Sequence, residues 1–414
     1  MTKRRVVITG LGAVSPIGND LNTILENLKA GYCGIDYIKS YDTSNQEVKI
    51  AAEVKNLNFE EYLNTKEIKR LDKVSIFAII AAKKALKDSN LNTEYIKNNF
   101  KIGINISSGI GGLESIENNM FRGIEKGFDR VSPFFIPMAI SNMPSANVSI
   151  HLGINGSTNC NVSACAGGTN AIGEAFRNIR DGYSDIIFAG GSEASITPLA
   201  IGGFTSIQAL SKTNNINRAS IPFDAERNGF VMGEGSAILI LEELEHALNR
   251  NAKIYAEICG YGFTSDANHI TAPNKDGFWA AQAITNAIND ANINYSDIDY
   301  INAHATSTKL NDLCETNAIR KAFKEHANNI KISGTKSMTG HLLGAAGAIE
   351  ALITSLSIKH NFIAPTINFE IPDEECNLNI VKNNYIESNI NYAISNSLGF
   401  GGHNCAIILK KFNI

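Results

Sequence analysis

The stretch Asn159-Cys160-Asn161-Val162-Ser163-Ala164-Cys165-Ala166-Gly167-Gly168-Thr169-Asn170-Ala171-Ile172-Gly173-Glu174-Ala175 decides how the rest of the chain is read. It spells a short strand, a sharp turn at Cys165 and then a helix. The small residues Ser163, Ala164, Ala166, Gly167 and Gly168 let the backbone turn tightly and let a bulky substrate come close. The helix runs on through Phe176 and Ile179 and stops at Asp181-Gly182. A cysteine at that corner sits at a helix N-terminus, where unpaired N–H groups and the macrodipole favour a thiolate, the form that attacks. Taken alone, Cys165 fits a buried structural thiol as well as it fits a nucleophile.

Outward from that turn, length and composition set the frame. A chain of 414 residues exceeds what one hydrophobic core usually spans, so two halves are expected, 1–251 and 252–414. With 44% hydrophobic and 19% charged residues, the composition is that of an ordinary soluble enzyme. The net charge of −4 excludes a general attraction to nucleic acid or to an anionic membrane, so an acidic partner has to meet a local basic patch. The N-terminal Met1-Thr2-Lys3-Arg4-Arg5 has no long apolar run behind it, which argues against a secretory signal, and no segment reads as a membrane span. Seven scattered cysteines without a C-x-x-C pair argue against a disulfide scaffold and a zinc ribbon, and point to a reducing cytoplasm.

The first half opens with a strand from Arg5 to Leu11. Gly10 and Gly12 suggest a dinucleotide fingerprint, but Ser15 and Pro16 stand where the third glycine belongs, so a tight loop opening a helix at Asp20 is the better reading. Asn64 to Asp88 has apolar residues at helical spacing behind a basic start, Lys66, Lys69, Arg70 and Lys73, which is either a solvated face or a dock for an acidic partner. A strand covers Lys101 to Ser107. The segment Ser132-Pro133-Phe134-Phe135-Ile136-Pro137-Met138 reads as extended, lining a pocket or a subunit contact or packing in the core. Strands at Ser184–Gly191 and Ala237–Leu241 frame a glycine-rich irregular stretch.

The second half repeats the plan. A strand at 298–303 ends in His304-Ala305-Thr306-Ser307-Thr308. A strand at 330–334 leads through Thr335-Lys336-Ser337-Met338-Thr339-Gly340-His341 into a Gly/Ala-rich helix. Strands at 392–396 and 405–409 flank Gly399-Phe400-Gly401-Gly402. Strands alternating with helices in two similar halves predict an α/β fold with internal duplication. Cys165, His304 and Lys336 with His341 thus stand at strand ends or helix starts, where catalytic groups of α/β folds gather. Two imidazoles beside one thiolate suggest acyl transfer on a thioester, and a neutral His341 at a helix start suits an N–H donor to a developing enolate. Singly, each histidine or lysine also fits a structural role.

Together these motifs resemble the β-ketoacyl-acyl-carrier-protein synthases of the condensing-enzyme family, closest to the type II elongating class of bacterial fatty-acid synthesis. The resemblance runs through Val6–Gly18, Ser163–Gly168, Gly190–Ala194, Pro222-Phe223-Asp224, Gly233-Glu234-Gly235, Gly334–Ser337, Gly340-His341 and Gly399–Gly402, in order. It implies a thiolase-like, internally duplicated five-layered α-β-α-β-α architecture, and an acyltransferase of the β-ketoacyl-acyl-carrier-protein synthase II type. Cys165 resembles the acyl-accepting nucleophile, His304 and His341 the pair that promotes malonyl decarboxylation, and Lys336 their electrostatic support. The N–H groups of Cys165 and Phe400 resemble an oxyanion hole, and Phe400 also the family's gate. Thr306 and Thr308 look like the threonines that hold the phosphopantetheine arm, and Ile110, Phe204 and Phe134 resemble acyl-pocket or dimer-contact residues. The resemblance further implies an acidic acyl carrier protein docked on Lys66, Lys69, Arg70 and Arg130. It implies a homodimer, and neither a metal nor a cofactor beyond the 4'-phosphopantetheine that the substrate carries.

Three positions depart from the family pattern. Ala305 replaces the usual glycine, and its methyl is expected to tighten the backbone near the pantetheine arm. Asp129 and Gln208 stand where arginines are common, so docking is expected to lean on the helix near residue 69 and to be weaker or more salt-sensitive. A stand-alone polyketide ketosynthase shares this chemistry and differs in its acyl group.

Overall fold

The run Gly235–Glu243 is buried on both faces: Ile238 and Ile240 point into one apolar layer, Ala237, Leu239 and Leu241 into another. The run His403–Lys410 does the same, with Ala406 and Ile408 on one side and Cys405, Ile407 and Leu409 on the other. Such two-sided burial requires helices on both faces of the sheet. The computed structural model describes residues 3–97, 99–213 and 215–413.

Ten strands form the main sheet: β1 (Val6–Val14), β2 (Ile102–Ser107), β3 (Thr158–Asn159), β4 (Ile186–Glu193), β5 (Gly235–Glu243), β6 (Ala256–Ser265), β7 (Tyr300–Asn302), β8 (Lys331–Ser333), β9 (Tyr392–Gly399) and β10 (His403–Lys410). The helices of nine residues or more are α1 (Leu21–Ala30), α2 (Lys73–Ser89), α3 (Leu113–Lys126), α4 (Met143–Leu152), α5 (Gly167–Arg180), α6 (Pro198–Ser206), α7 (Phe278–Ala291), α8 (Lys309–Phe323) and α9 (Ala346–His360).

The sheet order is β8-β7-β9-β10-β6-β1-β5-β4-β2-β3. Read outward from the middle it runs 1-5-4-2-3 one way and 6-10-9-7-8 the other, so each strand of the first half has its counterpart five strands later. Pairing directions match as well: 1/5 and 4/5 are antiparallel while 4/2 and 2/3 are parallel, and 6/10, 9/10, 9/7 and 7/8 repeat that pattern. Antiparallel β1 and β6 join the halves, Val6 facing Ile258. Helices α5 and α9 pack on each other between the two half-sheets; α2 and α4 cover the outer face of one, and α7 and α8 that of the other. These are the five layers expected of the duplicated α/β architecture.

Three local expectations change. The helical region 64–88 is broken. Asn64 and Glu67 form a capping box on the single turn Thr65–Ile68, and Asp72 then caps α2, its carboxylate accepting from Val74 N at 3.0 Å. An N-cap needs extended backbone, and Asp72 has ψ 153°, so no helix passes through it. Ser132–Met138 is not extended: Phe135–Ala139 forms a helical turn, with Pro137 in the first turn where its missing N–H costs nothing. The helix after His341 begins with a 3₁₀ turn at Leu343–Ala345, so His341 precedes it and forms a bridge with Met232 instead. No helix among the described residues is long and apolar enough to cross a membrane.

Candidate active site

Cys165 sits in the 3₁₀ turn Ala164–Ala166 that opens α5. Ala164 is left-handed there, with φ 49°. The β9–β10 turn descends onto it: a Cβ on Gly399 would lie 2.8 Å from the Ser163 carbonyl oxygen and 3.2 Å from Cys165 N. Glycine is what allows that approach. It sets the Phe400 N–H against the Cys165 sulfur, beside the residue's own N–H. These are the two donors expected of an oxyanion hole.

The charge state of Cys165 differs from expectation. Burial pushes the thiol up to about 11, against the pull of Lys336 and of the two N–H groups. Desolvation of the charged form outweighs the helix start, so the free protein holds a thiol.

Cys165, His304, His341, Thr306, Thr308, Phe204 and Phe400 line one cavity of about 390 Å³. The imidazole rings of His304 and His341 lie 5.2 Å apart at 85°. Lys336 reaches His304 from below: its Nζ donates to the His304 carbonyl oxygen at 2.6 Å and approaches His304 Nδ1 at 3.2 Å, and it also pairs with Glu350. An ammonium has three N–H donors and no acceptor, so all three are used and Nδ1 is the accepting nitrogen. The His304 proton is therefore on Nε2. Burial first, then the charge of Lys336, holds both imidazoles well below the ordinary histidine range. The neutrality expected of His341 is present, but its cause is burial beside a cation rather than a helix dipole. His341 Nδ1 is buried without a hydrogen-bond partner among the described residues.

Four carboxylates that the motifs did not single out build this site. Glu315 of α8 accepts from His304 N at 2.8 Å and Ala305 N at 2.7 Å, and Asp312, one turn earlier, accepts from Ser307 N at 3.2 Å and Phe223 N at 2.9 Å. Together they pin the loop that carries His304, Thr306 and Thr308. Glu350 is the lone acid in the apolar α9. Burial raises both Glu315 and Glu350 to about 7. Glu193 accepts from Gly109 N at 2.8 Å and Gly344 N at 3.0 Å, tying a loop of the first half to the turn of the second. The signals were present as acids spaced i, i+3 on one helix and as single acids inside apolar runs.

The remaining predicted residues are spread across the fold. Thr306 and Thr308 face each other with their hydroxyl oxygens 3.0 Å apart, and Thr308 also caps α8. Ile110 lies outside the cavity lining and joins the apolar cluster that holds Cys165 and Phe204. Phe134 is not beside Cys165: it lies on the surface under the Arg70 guanidinium, 4.8 Å from ring centre to Cζ. Lys66, Lys69, Arg70 and Arg130 are all exposed. Lys73 is drawn inward to buried Glu234 at 2.7 Å and leaves that patch. The Ala305 methyl does not crowd the arm channel. It is fully buried in the core of the second half, and a Cβ added at Gly334 would meet it at 2.8 Å.

A thiol, two neutral imidazoles beside a buried lysine that bonds to one of them, and a pair of N–H donors define an acyl-transfer site. Residues 3–247 match the family described as Beta-ketoacyl synthase, N-terminal domain, and residues 255–370 match Beta-ketoacyl synthase, C-terminal domain. The chain is 50% identical over 411 residues to the 3-oxoacyl-[acyl-carrier-protein] synthase 2 of Staphylococcus aureus (strain N315), covering 99% of each. It is 49% identical over 413 residues to the protein of the same name from Synechocystis sp., covering 100% of this chain and 99% of that one. Among solved structures it resembles a ketosynthase bound to the hexaketide in complex with its type II polyketide acyl-carrier protein, with TM-score 0.92 and 35% identity over 99% and 100% of the two chains. A β-ketoacyl synthase from Burkholderia phymatum STM815 gives TM-score 0.92 and 33% identity at the same coverage. The chain belongs to the β-ketoacyl synthase family.

Proposed function

We propose that this chain carries out the decarboxylative Claisen condensation of fatty-acid elongation. The observation that carries the reading is the convergence of Cys165, His304, His341 and the Phe400 N–H on one cavity. In the first half-reaction the Cys165 sulfur attacks an acyl thioester. A carbon–sulfur bond forms at Cys165, the carrier's thioester bond breaks, and the Cys165 proton ends on the released carrier thiol. The N–H groups of Cys165 and Phe400 hold the oxyanion, at about 3 kcal/mol per donor by the general scale of such holes. In the second, a malonyl thioester loses CO2 and its electron pair passes into an enolate. The Nε2–H of His304, with His341 beside it, is the donor that stabilises the enolate oxygen. The enolate carbon then attacks the acyl-cysteine carbonyl and expels Cys165 as a thiolate, which takes up one proton from solvent to return to the resting thiol, giving a 3-oxoacyl chain two carbons longer. Loss of CO2 supplies the driving force, so the chemistry needs no cofactor besides the phosphopantetheine arm of the substrate, which this reading assigns to Thr306 and Thr308 on the lining of the same cavity.

The reading includes an acidic carrier protein on Lys66, Lys69, Arg70 and Arg130, for which electrostatic complementarity sets the encounter rate and its salt dependence. It also includes a second copy of the chain. The edge strand β3 is exposed, and Met120, Phe121, Ile124, Ile136, Ile150 and Val162 expose apolar surface on the neighbouring segments. The cytoplasm is the compartment proposed.

Product analysis with acyl-carriers of graded length and malonyl-carrier tests the reading. The expected result is one CO2 and one 3-oxoacyl chain per turnover, and for His341→Ala an enzyme that still acylates but no longer releases CO2. Unchanged CO2 release in that variant removes His341 from the site. A preference for polyketide-type acyl groups places the chain in a different pathway with the same chemistry.

A further inference from the structure

Helix α6 gives the cavity one lining residue, Phe204, and carries two glycines directly ahead of it, Gly202 and Gly203. Most glycines here are explained by their surroundings. A Cβ at Gly173 in α5 would sit 2.2 Å from the Tyr261 ring, and one at Gly347 in α9 would sit 2.1 Å from the Thr169 hydroxyl. At Gly202 and Gly203 a Cβ would meet nothing within 4 Å, and neither residue is left-handed. Packing within the chain and backbone conformation therefore leave both positions free to be alanine, which favours a helix by about 1 kcal/mol per residue. The chain carries that loss of helix stability beside its active site.

The rest of α6 is divided at the same point. The N-terminal half is tied down: Thr197 caps Ala200 N at 3.2 Å, Glu117 accepts from Leu199 N at 2.8 Å, Gln46 donates to the Pro198 carbonyl at 2.9 Å, and Ala200 and Ile201 are buried. Beyond the glycines no residue of α6 is buried. The Thr205 and Ser206 hydroxyls bond back to the carbonyls of Ile201 and Gly202 at 2.6 and 2.9 Å, a pattern that weakens and bends helices. Phe204 follows the pair directly. Its ring packs 5.4 Å from Phe230 and 6.2 Å from Phe400.

We propose that Gly202 and Gly203 are positioning residues that make α6 a yielding wall, letting Phe204 move away from Phe400 when a long acyl chain enters. The proposal rests on the cavity being the condensing site. A short acyl group needs no such movement, so the glycines select for chain length through compliance rather than contact.

The test substitutes Gly202→Ala, Gly203→Ala and both, in the full chain. Within the chain the added methyls meet no atom closer than 4 Å, so each variant chain folds, and Tm rises by about 2 °C for the pair. The single-turnover rate of Cys165 acylation by a long-chain acyl-carrier falls about five-fold per substituted glycine. Acylation by an acetyl or butyryl donor and malonyl decarboxylation stay unchanged, which separates a failure of this proposal from a failure of the condensing assignment. Equal loss for short and long chains, no loss for either, or loss of the dimer in the alanine variants overturns it. In the last case the glycines seat a second chain.

Discussion

The two halves of the chain build the same turn and use it differently. In the first, left-handed Ala164 (φ 49°) leads through the 3₁₀ turn 164–166 into α5; in the second, left-handed Leu343 (φ 47°) leads through the turn 343–345 into α9. The residue after the left-handed one is Cys165 in one half and Gly344 in the other. Around Cys165 there is a cavity and two N–H donors. Around Gly344 there is no room: a Cβ would sit 2.3 Å from Gly109 N and 2.8 Å from Glu193 Oε2. One copy of the elbow is open and carries Cys165, while the other is sealed by Glu193 and holds the halves together. The second half supplies His304, Lys336 and His341 to the first half's cysteine, so the duplicated scaffold yields one site rather than two.

The largest test of that asymmetry is Cys165→Ala. Acyl-enzyme formation should fall to background, as read by intact-mass analysis after incubation with an acyl-carrier; persistent labelling would mean that another group accepts the chain. Next comes the resting charge of the thiol. With Cys165 pushed up to about 11, the thiolate fraction below that pH grows about ten-fold per pH unit. Alkylation of Cys165 should thus accelerate about a thousand-fold from pH 7 to 10 without levelling. A plateau near neutrality, measured by stopped-time alkylation and mass analysis, would restore the helix-stabilised thiolate. Third, Glu350→Ala leaves Lys336 buried without its carboxylate. Breaking a buried pair in this way should cost about 3–5 kcal/mol in denaturant unfolding, and decarboxylation should fall with it. An unfolding midpoint equal to that of the parent chain would show that Lys336 does not depend on the pair.

The sealed elbow gives the fourth test. Gly344→Ala forces a methyl onto Gly109 and Glu193 and should destabilise by about 1–3 kcal/mol. Unchanged stability would mean that the second elbow has slack, and that its closure is not what separates the halves. The smallest effect belongs to Ala305→Gly. It relieves a left-handed alanine at φ 40° and removes a methyl packed against Gly334, so the two terms should cancel to within about 1 kcal/mol. KM for the carrier substrates should not move. A changed KM would put the methyl back in the arm channel.

Much of this was legible beforehand because the informative signals are local. The small residues around Cys165, the Gly399–Gly402 turn and the two-sided apolar strands state their own backbone requirements. Other features depended on what lies across the fold. The break at Asp72 is set by its cap on α2 and by Ser115, whose hydroxyl bonds to the same carboxylate from 43 positions away. The bases of the His304 loop are Glu315 and Asp312, visible as acids but mute until α8 turns them back onto the loop. Lys73 belonged to the basic cluster by spacing and left it because Glu234 is buried within reach.

The amino-acid sequence by itself determined which groups can do chemistry and the short backbone forms that present them: a cysteine on a tight turn, histidines at strand ends, glycines where chains must touch. Only the tertiary structure decided the state in which those groups rest. Cys165 is a thiol, His304 carries its proton on Nε2, and Phe134 faces the surface, because desolvation and charge act through neighbours that are distant in the chain and adjacent only when it is folded.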